Sequence, residues 1–290
     1  MAKRISTRQL MRRTTLTDGE QPVGTSLNSI ISLMNPQPFG QPNRDRPLPK
    51  PLRSDLNLTE FGRNIALIEM TAPFKRPQYG QGIFLSRNFI LTAAHIADFY
   101  ARNRTVKIKH YKNIGKPVQT AIALRTYIHY GYSENDQATE TDLGLIELYI
   151  PENKNRISLI PTPPPPHDLQ ILAFWGPGWF SLKRFTEQYI SKGIRLDNRH
   201  SSNSLISGQH DAPTLGKWSG APIMVFQGTD LKLIGIHSAY IPNISNTFCG
   251  FNQEICDDLN SIIQSGNIDT IRWSRIWQDE NLLSSQSAFS

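Results

Sequence analysis

GQGIFLSRNFILTAAH, Gly80 to His95, holds two apolar runs split by the polar turn SRN, then a row of small residues and a histidine. Ile, Phe and Leu in runs this short, punctuated by Gly, Ser and Asn, are strand texture rather than helix texture. The same texture extends on both sides: NIALIEM (Asn64–Met70), TVKIKHY (Thr105–Tyr111), TAIALRTYIHY (Thr120–Tyr130) and DLGLIELYI (Asp142–Ile150). After residue 168 it resumes in LQILAFWGPG, TEQYISKGIRL, APIMVFQG and LKLIGIHSAY. Between the two groups lie five prolines from 161 to 166, a stiff extended spacer.

The ends of the chain differ from this body. Residues 1–61 read as an irregular, partly disordered extension, because prolines 36, 38, 42, 47, 49 and 51 break any regular element. One apolar patch, SLNSIISLM (Ser26–Met34), interrupts it as a short element that docks on the body. Toward the other end, Ile255, Leu259, Ile262 and Ile263 recur at helical spacing and Gly266 closes the run. The expected organisation is an extension over 1–61, a first barrel over 62–160 and a linker over 161–168. A second barrel follows over 169–253, then a C-terminal helix and tail over 254–290.

Bulk properties narrow the function. The chain has 290 residues, 38% hydrophobic, enough for two small domains with sizeable cores. No apolar run is long enough for a membrane helix. The N-terminus lacks the apolar core of a secretory signal, while its Arg, Ser and Thr content also fits an organelle-targeting peptide. Net charge is +7, and residues 1–60 carry nine Lys/Arg against five Asp/Glu. Such a basic tail suits contact with a partner or an anionic membrane surface. Nothing resembles a nucleic-acid module, so no specific nucleic-acid partner is expected. The two cysteines, Cys249 and Cys256, have no metal-ligand spacing around them and read as reduced structural thiols. No cofactor or metal is expected.

Three places carry chemistry. His95 follows small alanines that let its backbone seat tightly. Asp142 opens an apolar strand, at the edge of a core. Ser219 stands on a turn in TLGKWSGAPI (Thr214–Ile223). A serine hydroxyl needs a base, and the base needs a group that orients it; these three residues supply one of each.

At LTAAH, TDLGLIEL and SGAP the sequence resembles the trypsin-like, chymotrypsin-fold serine peptidases. FWGPG (Phe174–Gly178) and LIGIHS (Leu233–Ser238) look like two further landmarks of that family. The resemblance spans roughly residues 62–265 in the order His, Asp, Ser. It implies an all-β fold of two six-stranded antiparallel barrels with the active site between them. It also implies a triad of His95, Asp142 and Ser219, an oxyanion hole from the N–H groups of Lys217 and Ser219, and a protein or peptide substrate.

Three departures stand out. Lys217 occupies a position the family gives to glycine. Either it takes a strained positive φ, or the peptide flips and the hole assembles only on substrate or partner binding; the second outcome is expected. Trp218 replaces the aspartate of digestive relatives and reads as a packing residue. Pro213 stands where trypsins keep an aspartate. Thr214, His237, Ser238 and Tyr240 instead resemble the substrate pocket of glutamyl endopeptidases and picornavirus-type processing peptidases. That likeness implies a preference for Glu or Gln before the cut, with Thr214 and His237 donating to its side-chain oxygen.

Overall fold

The computed structural model describes residues 49–52, 61–70, 78–103, 106–111, 118–132, 141–152, 154, 156–175, 187–200, 205–241 and 245–287. Most of the basic extension, including SLNSIISLM, and residues 176–178 of FWGPG lie outside the described residues.

The first strand, β1 (Lys50–Pro51), belongs with the second barrel. The first barrel begins with β2 (Ile65–Met70), β3 (Gln78–Phe84) and β4 (Phe89–Thr92), followed by the helix α1 (Ala94–Asn103). It continues through β5 (Val106–Tyr111), β6 (Val118–Ala121), β7 (Ala123–His129) and β8 (Gly144–Leu148). The antiparallel order is β7-β8-β4-β3-β2-β5-β6. Only Ile122, half exposed, separates β6 from β7. The two ends of that order are therefore one bent strand, and the sheet curls back on itself.

The second barrel uses β9 (His167–Trp175), β10 (Glu187–His200), β11 (Leu205–His210), β12 (Pro222–Gln227), β13 (Asp230–Ile241) and β14 (Ser245–Phe251). β9 pairs with both β12 and β10, which closes the ring at six strands. Each barrel thus has the expected six strands and gains one more: β1 lies on β10, and β15 (Trp273–Gln278) lies on β7.

The segment between the barrels is stitched down. Ile160 N–H donates to the Leu233 carbonyl at 3.1 Å, and Thr162 N–H to the Phe251 carbonyl at 2.8 Å. The Thr162 hydroxyl also donates to the Ile234 carbonyl at 2.7 Å. His167 and Asp168, which end the expected linker, already belong to β9.

The C-terminal helix, α2 (Gln253–Ser265), is capped at both ends. The Asn252 side chain accepts from Ile255 N–H, and Gly266 at φ 72° returns its N–H to the Ile262 carbonyl. Its apolar stripe, Ile255, Cys256, Leu259, Ile262 and Ile263, is buried. The chain beyond is not merely a tail: it forms β15 and α3 (Glu280–Ser287). Only Trp273 of β15 is fully buried, so the segment shows little alternation to read from sequence. The Trp273 indole N–H fastens it to Asp258 of α2 at 2.6 Å.

One continuous apolar core joins Ile65, Ile83, Leu91 and Leu145 of the first barrel to Leu172, Met224 and Ile236 of the second and to α2. A second cluster, with Trp218 and Phe248, fills the interior of the second barrel. A shared core fixes the junction between the barrels, where the chemistry-bearing residues lie.

Candidate active site

Small residues set up the His95–Asp142 pair. A Cβ added at Gly144 would lie 2.8 Å from Ala97 Cβ and 3.1 Å from the Ala93 carbonyl. Only a bare backbone at 144, facing alanines, lets α1 settle on β8. That contact brings Asp142, just before β8, under the first turn of α1. The Asp142 carboxylate accepts from the His95 backbone N–H at 3.0 Å, an orphan donor of the helix start. It also accepts from His95 Nδ1, at 2.8 and 3.0 Å from its two oxygens. A carboxylate only accepts, so Nδ1 carries the hydrogen and Nε2 keeps its lone pair.

A third donor comes from the other barrel. The register of β13 against β14 slips between His237 and Ala239, and this bulge at Ser238 re-aims its side chain. The Ser238 hydroxyl donates to Asp142 Oδ2. Ser238, expected among the substrate contacts, is fully buried, so its hydroxyl serves the carboxylate instead.

The electrostatics follow. Burial would raise the Asp142 carboxyl pKa, but His95, Ser238 and the His95 N–H outweigh it and hold the carboxyl below its ordinary range. Burial would lower the His95 pKa, but the Asp142 charge and hydrogen bond outweigh that and raise it, with help from Asp98. The His95 side chain remains 39% exposed, against 7% for Asp142. The His95 ring is therefore reachable and its carboxylate partner is not.

Ser219 is half-buried on the turn before β12, and its neighbours are fixed. The Ser219 carbonyl accepts from Gln81 N–H at 2.7 Å, and Gly220 N–H donates to the His237 carbonyl at 2.8 Å. Gly220 has φ 87°, and a Cβ there would lie 2.0 Å from the Gln81 carbonyl oxygen. Among the described residues no hydrogen bond joins Ser219 Oγ to His95.

Lys217 settles one alternative. Its φ is 80°, the only positive value outside glycine among the described residues. The strained backbone is what the chain adopts at rest, at a cost on the order of 1 kcal/mol or more. Its ammonium sits 4.9 Å from the Tyr79 ring centroid, a contact that offsets roughly 0.5–1 kcal/mol of this. Trp218 is 1% exposed and packs within the second barrel.

Thr214 and His237, expected to set specificity, sit in a buried polar cluster. Thr214 and His237 are both buried. The Thr214 hydroxyl donates to Asn246 Oδ1 at 2.9 Å, and Asn246 in turn donates to the Ala212 carbonyl at 2.8 Å. The one hydroxyl hydrogen of Thr214 is thus committed within the protein, so it is not the ready donor its position suggests. His237 Nδ1 lies 3.2 Å from His210 Nε2. Burial first, then the His95 charge, pushes the His237 pKa down to about 4. Burial and His237 hold His210 well below its ordinary value. Both rings are neutral at pH 7 and share one hydrogen. The Ala212 backbone also engages the His210 ring. Tyr240 lies on β13, but its side chain is outside the described residues.

Sequence reasoning missed Gln81, His210 and Asn246. The only available signal was a glutamine between two glycines in a strand, GQG. The other two depend on strand register.

The family model described as Trypsin matches residues 70–263. Two solved structures share the fold. The crystal structure of scabies mite inactivated protease paralogue S-I1 is 18% identical with a TM-score of 0.54, covering 74% of this chain and 99% of that one. A Glu endopeptidase in complex with MPD is 17% identical with a TM-score of 0.56, covering 76% of this chain and 98% of that one. No curated protein matches the chain.

Proposed function

The chain belongs to the trypsin family of chymotrypsin-fold serine peptidases, and from that premise we propose that it is a serine endopeptidase acting through Ser219, His95 and Asp142. A peptidase domain of this kind takes protein substrates. The observation that carries the reading is the His95–Asp142 pair. Its hydrogen bonds leave Nε2 free to take a proton, on a ring that is partly exposed beside a carboxylate that is not.

In this reading Ser219 Oγ attacks the peptide carbonyl while His95 Nε2 takes its proton. Asp142 stabilises the imidazolium, and the Lys217 and Ser219 N–H groups receive the developing oxyanion. His95 then protonates the leaving amine, and water releases the acyl group by the same steps reversed. The positive φ of Lys217 favours a hole assembled at rest over one that forms only on binding.

For specificity, His237 is the donor to a Glu or Gln side chain before the cut. His210 behind it fixes the tautomer, and Thr214 acts as a wall of the pocket.

A second reading is a body that binds partners without cleaving them. It is favoured by the absence of a Ser219–His95 hydrogen bond among the described residues, although such bonds often tighten only with substrate. A fluorophosphonate probe separates the two. Labelling of wild type but not of Ser219→Ala, with matching cleavage of a peptide library, supports the enzyme. Equal labelling of both, or none, overturns it.

A further inference from the structure

Gln81 is a buried amide on β3 of the first barrel whose side chain reaches only into the second. Its Nε2 lies 3.2 Å from the Phe174 carbonyl and 3.2 Å from the Lys217 carbonyl. Its Oε1 accepts from Phe174 N–H at 3.0 Å. Its backbone is equally engaged. The N–H holds the Ser219 carbonyl at 2.7 Å, and the carbonyl accepts from the Thr92 hydroxyl at 2.6 Å. β4 stops pairing with β3 at Thr92 opposite Gly82, so Gln81 faces the serine turn where a further ladder partner would otherwise stand.

We infer that the Gln81 side chain is a positioning residue for the oxyanion hole, holding Lys217 in its positive-φ conformation. The inference rests on the serine-peptidase reading. The torsion φ relates a residue's N–H to its own carbonyl. Gln81 Nε2 fixes the Lys217 carbonyl, and Gln81 N–H fixes the Ser219 carbonyl two residues on. With both fixed, the Lys217 N–H points one way only while φ stays near 80°. A non-glycine residue relaxes to negative φ when released, and that swings the N–H out of the hole. The pairing of Lys217 with Gln81 answers the question of how a position suited to glycine holds a lysine. Anchoring of Gln81 at both ends of its amide by Phe174 keeps the donor from turning away.

The test is Gln81→Met, which keeps length and removes the donor. The expected result is a fall in kcat of roughly 10²–10³ with KM within about threefold of wild type, the mark of a transition-state contact. A peptide aldehyde, whose adduct places an oxyanion in the hole, weakens in parallel, while a product peptide does not. Lys217→Gly added to Gln81→Met restores most of the lost kcat, because glycine holds positive φ unaided. An unchanged kcat, or a loss that glycine does not restore, overturns the inference. Should Gln81→Met fail to fold, Gln81→Glu is compared with wild type over pH. A protonated carboxyl donates to the Lys217 carbonyl and a carboxylate cannot, so relative kcat falls as pH rises; a flat ratio overturns the inference. A wild type that neither cleaves nor labels counts against the enzyme reading alone. Crystals of the variant then judge Gln81, because Lys217 must leave positive φ, and its remaining there overturns the inference.

Discussion

Ser238 of the second barrel gives its hydroxyl hydrogen to Asp142 of the first. The carboxylate that orients the base is therefore completed only when the two barrels are docked. Ser238→Ala leaves a buried charge one donor short, at a cost of about 1.5–3 kcal/mol. Asp142 is held below its ordinary pKa, so its contribution to stability is full above about 3.9 and is lost as pH falls through the lower folded-state value. Removing Ser238 raises that folded-state value. The acid-unfolding midpoint of Ser238→Ala, followed by circular dichroism, should move to higher pH.

Asp142 also raises the His95 pKa. In the proposed mechanism the His95 ring must be neutral to take a proton. The kcat/KM profile of the wild type should therefore rise with pH through a midpoint above about 6.5. Asp142→Asn removes the charge and disturbs the tautomer. The expected loss in kcat is on the order of 10⁴, with the residual activity titrating at lower pH. Peptide hydrolysis measured over pH 5–9 checks both statements.

Under the proposed specificity His237 meets its target as a neutral ring, because burial first, then the His95 charge, lowers its pKa to about 4. The preference for Glu or Gln should consequently stay constant between about pH 6 and 8, unlike that of a site relying on imidazolium. His237→Ala should lower kcat/KM for Glu substrates roughly ten- to hundredfold, the loss of one hydrogen bond to a charged group. Substrates with a small residue at that position should be little affected. Matched peptide pairs assayed side by side give the answer.

Gly144→Ala would force a methyl against Ala97 and the Ala93 carbonyl. The overpacking should cost about 1–3 kcal/mol in denaturant unfolding. Since this contact seats α1 over Asp142, activity measured on the folded fraction should fall as well. A variant equally stable and equally active would refute the seating role.

Much of the fold was legible because its signals are local. The strand runs and the capped stripe of α2 each depend on residues a few positions apart, whereas α1 was not read from the sequence. His95 and Asp142 were also singled out, the first by the small alanines before it and the second by the apolar strand it opens. What was not legible depends on register between distant strands. Ser238 faces Asp142 only because β13 bulges there, and His210 meets His237 only through the β11–β14–β13 ladder. Gln81 gave no sign of its bridging role beyond the glycines that flank it, because glutamine in a strand is ordinarily a solvent-facing residue. β15 was missed for a related reason: its partner β7 lies over 140 residues back, and its own pattern hardly alternates.

Gly220 gives the serine motif a second meaning. The space for its α-carbon is limited by the Gln81 carbonyl of the opposite barrel, so the glycine records a clearance between two bodies rather than a step in catalysis. The two halves of the dipeptide therefore answer to different pressures. The hydroxyl at 219 could be lost by a descendant that only binds, with little disturbance to folding. The bare backbone at 220 could not, for as long as the barrels meet in this way. Within the pair the glycine marks the architecture, and the serine alone carries the proposed activity.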